Sequence, residues 1–388
     1  MSRETVPSPA APTEHPPLDL TAHAVAITRA ICDIPSVSGA EGALADAIVA
    51  ALAGASHLEL IRDGDTVVAR TNLGRERRVV IAGHLDTVPI NRNLPTRFET
   101  IDGEQYLWGR GTVDMKSGVA VQLKLALELV APVYDITWMW YDHEEVSAEL
   151  NGLGRLARHR PDLFAGDFAI LGEPSNSRVE GGCNGNLRVE LRAYGTRAHS
   201  ARSWVGENAV HKLAPALERL AAYEAETVEV DGLAYREGLN AVGVTGGIAG
   251  NVIPDEAMLH VNYRFAPSRT VAEAISIVRD LFPEYELTVV DEAEGARPGL
   301  DAEFAQAFVS AVGGEAYPKY GWTDVARFSA MGIPAVNFGP GDPLKAHADD
   351  ERVATDQILS CERALRSWLT GAVRPSATDA GVADAGVV

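Results

Sequence analysis

Apolar residues recur along this chain in two rhythms. Leu20, Ala24, Ile27 and Ile31 fall at helical spacing behind Asp19 as N-cap, and Leu44, Ile48 and Leu52 repeat the pattern, so two helices open the fold. Alternating stretches at 58–62 and 66–71 flank Asp63-Gly64, a dipeptide that favours a tight hairpin turn. Short apolar runs then alternate with helical patterns: strands over 78–82, 136–141 and 167–171, and helices over 117–130 and 152–158. Such alternation predicts a largely parallel sheet covered by helices on both faces.

The rhythm changes from 187 to 290. It reads as strand (187–194), helix (207–223), strand (242–248), strand (257–265), helix (270–282) and strand (286–290), the order of a split βαβ, ferredoxin-like unit. A helix over 302–312, a strand over 335–338 and a helix over 354–369 return to the first style. The expected fold class is therefore α/β, with a mostly parallel sheet between helices and an inserted ferredoxin-like α+β lid. The expected division is a loose, proline-rich arm (1–17), a catalytic domain in two parts (18–185 and 296–373), the lid (186–295) and a disordered tail (374–388).

The chain has 388 residues, 46% of them hydrophobic and 23% charged, which is ordinary globular composition. Acidic residues number 54 against 34 basic ones, for a formal charge of -20, which disfavours nucleic-acid and membrane-surface partners. Cys32, Cys183 and Cys361 are too few and too scattered for a disulfide framework. No uncharged apolar run approaches the ~18 residues of a membrane span, and the first residues lack the apolar core of a signal peptide. A cytoplasmic protein is expected.

Candidate chemistry lies where strands end. The run 78–83 leads into His84-Leu85-Asp86, the run 136–141 into Asp142-His143-Glu144-Glu145, and the run 167–172 into Glu173-Pro174. In an open parallel sheet, sites form beyond the carboxyl ends of the strands, so these side chains should converge. Asp114 follows the glycine-rich Trp108-Gly109-Arg110-Gly111, and His347 follows Asn337-Phe338-Gly339-Pro340-Gly341. Taken singly, each has a structural reading: Glu-Glu can serve a helix N-terminus, and His347 beside Asp349 and Asp350 can be solvated. Together, two imidazoles and several carboxylates suit zinc, and one bridging carboxylate would complete a two-metal hydrolytic site.

Gly83-His84-Leu85-Asp86-Thr87-Val88-Pro89, Asp114-Met115-Lys116, Glu144-Glu145, Gly172-Glu173-Pro174 and the late His347 resemble the dinuclear zinc deacylase and exopeptidase family of aminoacylases, carboxypeptidase G, acetylornithine deacetylase and succinyl-diaminopimelate desuccinylase. The resemblance spans roughly residues 20 to 370. Gly321-Trp322-Thr323-Asp324-Val325-Ala326-Arg327-Phe328 and Ala346-His347-Ala348-Asp349-Asp350-Glu351 look closest to its actinobacterial desuccinylase branch.

The resemblance implies two Zn2+ per subunit, with Co2+ a possible substitute. It assigns His84 and Glu173 to one ion, Glu145 and His347 to the other, and Asp114 to the bridge. Asp86 would fix the tautomer of His84, and Glu144 would be the general base. His199, in Gly195-Thr196-Arg197-Ala198-His199-Ser200, would steady the oxyanion across a homodimer, with Asn251, Arg264, Gly321 and Thr323 contacting a small N-acyl amino acid substrate. The implied reaction is hydrolysis of N-succinyl-LL-2,6-diaminopimelate to succinate and LL-2,6-diaminopimelate, in lysine and cell-wall precursor synthesis. Acetylornithine deacetylase, aminoacylase or carboxypeptidase activity is the enzymatic alternative. A non-catalytic metal-binding homologue is the alternative of another class, against which Glu144 speaks. Two segments depart from the family pattern. Glu180-Gly181-Gly182-Cys183-Asn184-Gly185 stands where many desuccinylases carry an Arg-rich turn, and Gly321-Trp322-Thr323-Asp324 replaces a common Ser/Thr-Gly-Gly-Thr.

Overall fold

The computed structural model describes residues 16–372. The expected tail and nearly all of the expected arm lie outside that range. Eight strands form one sheet, and at its centre Asp135–Tyr141, Arg78–His84, Phe168–Leu171 and Ala335–Asn337 run parallel as neighbours. Successive residues of these strands enter different cores. Val79, Ile81, Ile136, Trp138, Phe168 and Ile170 pack with the helices Ala24–Cys32, Gly42–Leu52, Lys116–Glu128 and Thr355–Thr370, while Val80, Ala82, Met139, Tyr141 and Ala169 pack against Leu153, Leu156 and Phe328 on the other face. A strand buried on both faces is apolar at nearly every position, which is why these segments read as near-continuous runs.

The second sheet is antiparallel, with Gly238–Gly246, Glu256–Phe265, Gly185–Tyr194 and Glu286–Ala293 side by side. Its helices cover one face only: Leu187, Val189, Leu191, Leu259 and Val261 are buried against Ala216, Ala274 and Val278. Arg188, Glu190 and Arg192 alternate with them towards the other face. The strand order is that of a ferredoxin-like unit.

Several local expectations shift. The helix expected behind Asp19 starts at Ala24 with His23 as N-cap, because the Asp19 carboxylate instead accepts from the Thr21 N–H and hydroxyl. The two-residue hairpin turn is Gly64-Asp65, between paired Asp63 and Thr66. The helix expected over 207–223 becomes a 3-10 turn, His211–Leu213, and a helix, Ala214–Ala221. Asn208 accepts from the Val210 and His211 N–H groups before them, and Pro215, lacking an N–H, suits a helical first turn. The Thr227–Val230 and Leu233–Arg236 hairpin was not expected.

Candidate active site

The central strands deliver their ends side by side. His84 closes its strand, Glu144 and Glu145 follow Tyr141, and Glu173 follows Leu171 after Gly172. Close approach is built from glycine: a Cβ on Gly118 or on Gly339 would lie 2.2 Å from the Gly172 carbonyl oxygen, so the helix carrying Gly118 and the loop carrying Gly339 both rest on the strand end before Glu173.

Asp114 occupies the middle. One of its oxygens is 3.1 Å from His84 Nε2 and the other 3.2 Å from His347 Nε2. His84 Nε2 is 3.9 Å from Glu173 Oε1, and His347 Nε2 is 3.0 Å from Glu145 Oε1. Donor atoms of His84, Asp114 and Glu173 lie within 4.8 Å of one another, as do those of Asp114, Glu145 and His347, and those of His84, Glu144 and Glu145. Neighbouring ligands around a tetrahedral zinc stand roughly 3.3 Å apart, so the spacing suits shared cations.

The electrostatics agree. Burial opposes ionisation of Asp114, yet hydrogen bonds from His347 and His84 hold its carboxyl well below the usual range. Acceptance of its N–H by the Asp114 and Glu145 carboxylates pushes the His347 imidazole up to about 10. Burial raises the carboxyls of Glu144 and Glu145 and takes Glu173 up to about 8, with Asp114 adding to it and His84 and Lys319 opposing. Glu173 Oε1 is buried without a hydrogen-bond partner among the described residues. Five carboxylates (Asp86, Asp114, Glu144, Glu145, Glu173) surround two imidazoles, an excess of negative charge that divalent cations would neutralise. The residues fit a metal centre.

A supporting shell holds these groups. His84 Nδ1 donates to the Asp86 carbonyl oxygen at 3.0 Å, leaving Nε2 to face Asp114; the Asp86 carboxylate is farther away, at 3.4 Å. That carboxylate chiefly accepts from the backbone N–H groups of Glu144 and Glu145, both at 3.0 Å, and from Ser38. Sequence reasoning gave Asp86 the tautomer of His84; its larger contact is with the backbone carrying both glutamates. Glu351 was quoted only as part of a motif. Fully buried, it accepts from the Val113 and Asp114 N–H groups and pairs with Arg110 at 2.7 Å, fixing the glycine-rich loop to the segment that carries His347. His347 itself has φ 63°, a left-handed conformation uncommon outside glycine.

The cluster opens into a cavity of about 700 Å³ lined by Asp114, Glu144, Glu145, Glu173 and His347 on one side and by Arg188, Arg264, Lys319, Gly321 and Thr323 on others. Arg264 and Thr323 thus join the site: burial and the neighbouring Arg188 hold the Arg264 guanidinium below its usual range, and the Thr323 hydroxyl donates to Asn337 Oδ1. His199 and Asn251 are not among the lining residues. They lie together on an exposed part of the lid, where His199 pairs with Val252 across a two-residue bridge and the Asn251 carbonyl accepts from Ser200 N–H.

Carboxylates and imidazoles grouped at the ends of parallel strands, beside a cavity with polar walls, are an arrangement suited to a metal-dependent hydrolase. Residues 80–370 match the model of the family described as peptidase family M20/M25/M40, and the chain belongs to that family. It is 53% identical over 357 residues to a Mycobacterium tuberculosis protein described as "Putative succinyl-diaminopimelate desuccinylase DapE", covering 91% of this chain and all of that one. It is 48% identical to the succinyl-diaminopimelate desuccinylase of Corynebacterium glutamicum, covering 92% of this chain and 98% of the relative. Among solved structures, an M20 family metallo-carboxypeptidase from Sulfolobus solfataricus shares the fold at a TM-score of 0.71 and 17% identity, covering 90% of this chain and 99% of that one. The chain is therefore a metal-dependent hydrolase acting on a small molecule, and it uses a divalent metal. Among the described residues no helix is long and apolar enough to cross a membrane.

Proposed function

We propose that this hydrolase cleaves N-succinyl-LL-2,6-diaminopimelate to succinate and LL-2,6-diaminopimelate. The observation that carries the reading is the kinship with two desuccinylases over nearly the whole of each chain. His84 and Glu173 would hold one ion and Glu145 and His347 another, with Asp114 serving both; its two oxygens face the two imidazoles, which supports that role. The ions would be zinc, with cobalt a substitute, and would supply Lewis-acid polarisation of the amide carbonyl and raise the acidity of the attacking water.

Glu144 is the general base. It takes a proton from the attacking water as the oxygen bonds to the amide carbon, then delivers that proton to the nitrogen as the C–N bond breaks. Burial at the cavity wall, which raises its proton affinity, favours this shuttle. Arg264 grips the substrate α-carboxylate through paired N–H groups, with Gly321 and Thr323 along the same wall.

The working unit in this reading is a homodimer, in which His199 and Asn251 serve the cavity of a second copy. Their exposure supports it, as do exposed Trp204 and Val205 nearby and Val242 and Val244 on the uncovered edge strand. The lid then comprises 186–295 and the catalytic domain 18–185 with 296–373, consistent with each sheet drawing its strands from one of these sets. A cytoplasmic location, without nucleic-acid or membrane partners, completes the reading. Turnover of N-succinyl-LL-2,6-diaminopimelate at least about a hundredfold above that of N-acetylornithine, abolished by chelation and restored by zinc, is the expected result. The reverse preference would move the enzyme to the deacetylases.

A further inference from the structure

The two segments that depart from the family pattern are far apart in sequence and joined in space. Val179–Gly181 and Ala316–Pro318 are neighbouring parallel strands, with Tyr317 opposite Glu180. Beyond them, the Asn184 N–H donates to the Lys319 carbonyl, Cys183 Sγ contacts the Thr323 carbonyl, and Lys319 Nζ stands 2.8 Å from Glu180 Oε2. The changed turn and the changed glycine segment therefore form one wall of the catalytic cavity, and a charged pair is its centre.

Lys319 is only 6% exposed, yet it lines the cavity. Its Nζ donates to the Pro174 carbonyl at 2.7 Å, which anchors the ammonium beside the residue that follows Glu173. One N–H is on Pro174 and the Glu180 carboxylate stands in ion-pair contact, so an ammonium with three N–H groups keeps at least one free for a further acceptor. The other cations lining the cavity are differently placed. Arg188 is largely exposed and lies 3.6 Å from Asp291, Arg327 is bound to Asp324, and Arg264 stands on the lid strand. Lys319 is thus the buried cation on the strand-end side, close to where the scissile carbonyl must lie.

A succinyl group carries its free carboxylate roughly 4 Å from its amide carbon, across two methylenes. That short reach suits a cation beside Glu173 better than one on the lid, and leaves Arg264 for the α-carboxylate on the amine side. We propose that Lys319, held in place by Glu180 and the Pro174 carbonyl, receives the terminal carboxylate of the acyl group and makes the site prefer a succinyl group over a neutral acyl group of the same length. The proposal rests on the desuccinylase reading for its substrate. In it Lys319 is a specificity-determining residue and Glu180 a positioning residue.

The test compares N-succinyl- with N-butyryl-LL-2,6-diaminopimelate, which have the same chain length with and without the carboxylate, in the zinc-loaded enzyme. Lys319→Met should lower the succinyl-to-butyryl ratio of kcat/KM by at least about thirtyfold, and Lys319→Arg should recover much of it. Because Lys319→Met strands a buried carboxylate, the Glu180→Gln/Lys319→Met double variant is measured alongside, and it should show the same loss of preference. An unchanged ratio in the double variant overturns the proposal. Binding of free succinate against butyrate, followed by calorimetry, separates the two levels. If the wild-type enzyme leaves the succinyl substrate intact, the desuccinylase reading falls, while a succinate preference lost with Lys319 still supports the carboxylate site and equal binding of both acids overturns it.

Discussion

The strand-end cluster and the lid loop around His199 are held in contrasting ways. Each proposed metal-site side chain is fastened at more than one point or fully enclosed: Asp86 ties down the backbone of both glutamates, Glu351 that of Asp114, and Asp114 touches both imidazoles. His199 has one described side-chain contact, accepting from the Ala201 N–H, and stands exposed. The cluster is thus preorganised within one chain, while the loop carrying His199 is not. The difference is one of support: the cluster, even at half-exposed His347, is held by contacts within the chain, whereas His199 faces solvent with a single side-chain contact.

The largest test falls on the cluster. Glu144→Gln should cut turnover by at least about a hundredfold with metal content near wild type. If one equivalent of zinc is lost instead, Glu144 and Glu145 have exchanged roles, which the grouping of His84 with both glutamates makes a pointed question. Next, Asp86→Ala frees the backbone of both glutamates, so zinc affinity measured by chelator competition should fall by about tenfold to a hundredfold. On the cavity wall, Arg264→Ala should raise KM about tenfold for a substrate with a free α-carboxylate and much less for its amide; equal effects would remove Arg264 as the anchor.

The lid side is tested by exchange. In a purified mixed dimer of His199→Ala and Glu144→Ala protomers, one site of two is complete, so about half of wild-type activity should return from nearly inactive parents. No recovery would mean that His199 works within its own chain or that the dimer is otherwise arranged. The smallest effect concerns the lid's own stability. Thr270 and Glu273 form a capping box on the helix Val271–Leu281, so Thr270→Ala should cost about 1 kcal/mol in urea unfolding and leave zinc content unchanged. A loss of zinc would tie the two regions more closely than their separate cores suggest.

The strand ends were legible because a strand buried on both faces has few polar positions to confuse the reading, and a sudden His-x-Asp or Glu-Glu marks where the apolar run stops. The lid was legible for a different reason, the inward alternation of residues such as Leu187, Val189 and Leu191. What escaped was what depends on distant partners. Nothing near Glu351 reveals that its carboxylate closes on residues 113 and 114, and nothing near Lys319 reveals Glu180. The helix boundary at Ala214 was misread because apolar spacing continued through 211–213 while Asn208 and Pro215 governed the backbone. Both residues were visible in the sequence and were the better guide.

The strand Ala335–Asn337 lies between Phe168–Leu171 and Val179–Gly181, although it is made more than 150 residues after them. Until the ribosome has finished the lid and continued beyond it, the neighbours on both sides have an open edge and His347 does not yet exist. The nascent protein therefore carries an unfinished sheet, and all but one of the five proposed metal ligands, through much of its synthesis. A chain cut short before residue 335 should keep an open edge beside Phe168–Leu171, the feature that chaperones and proteases recognise.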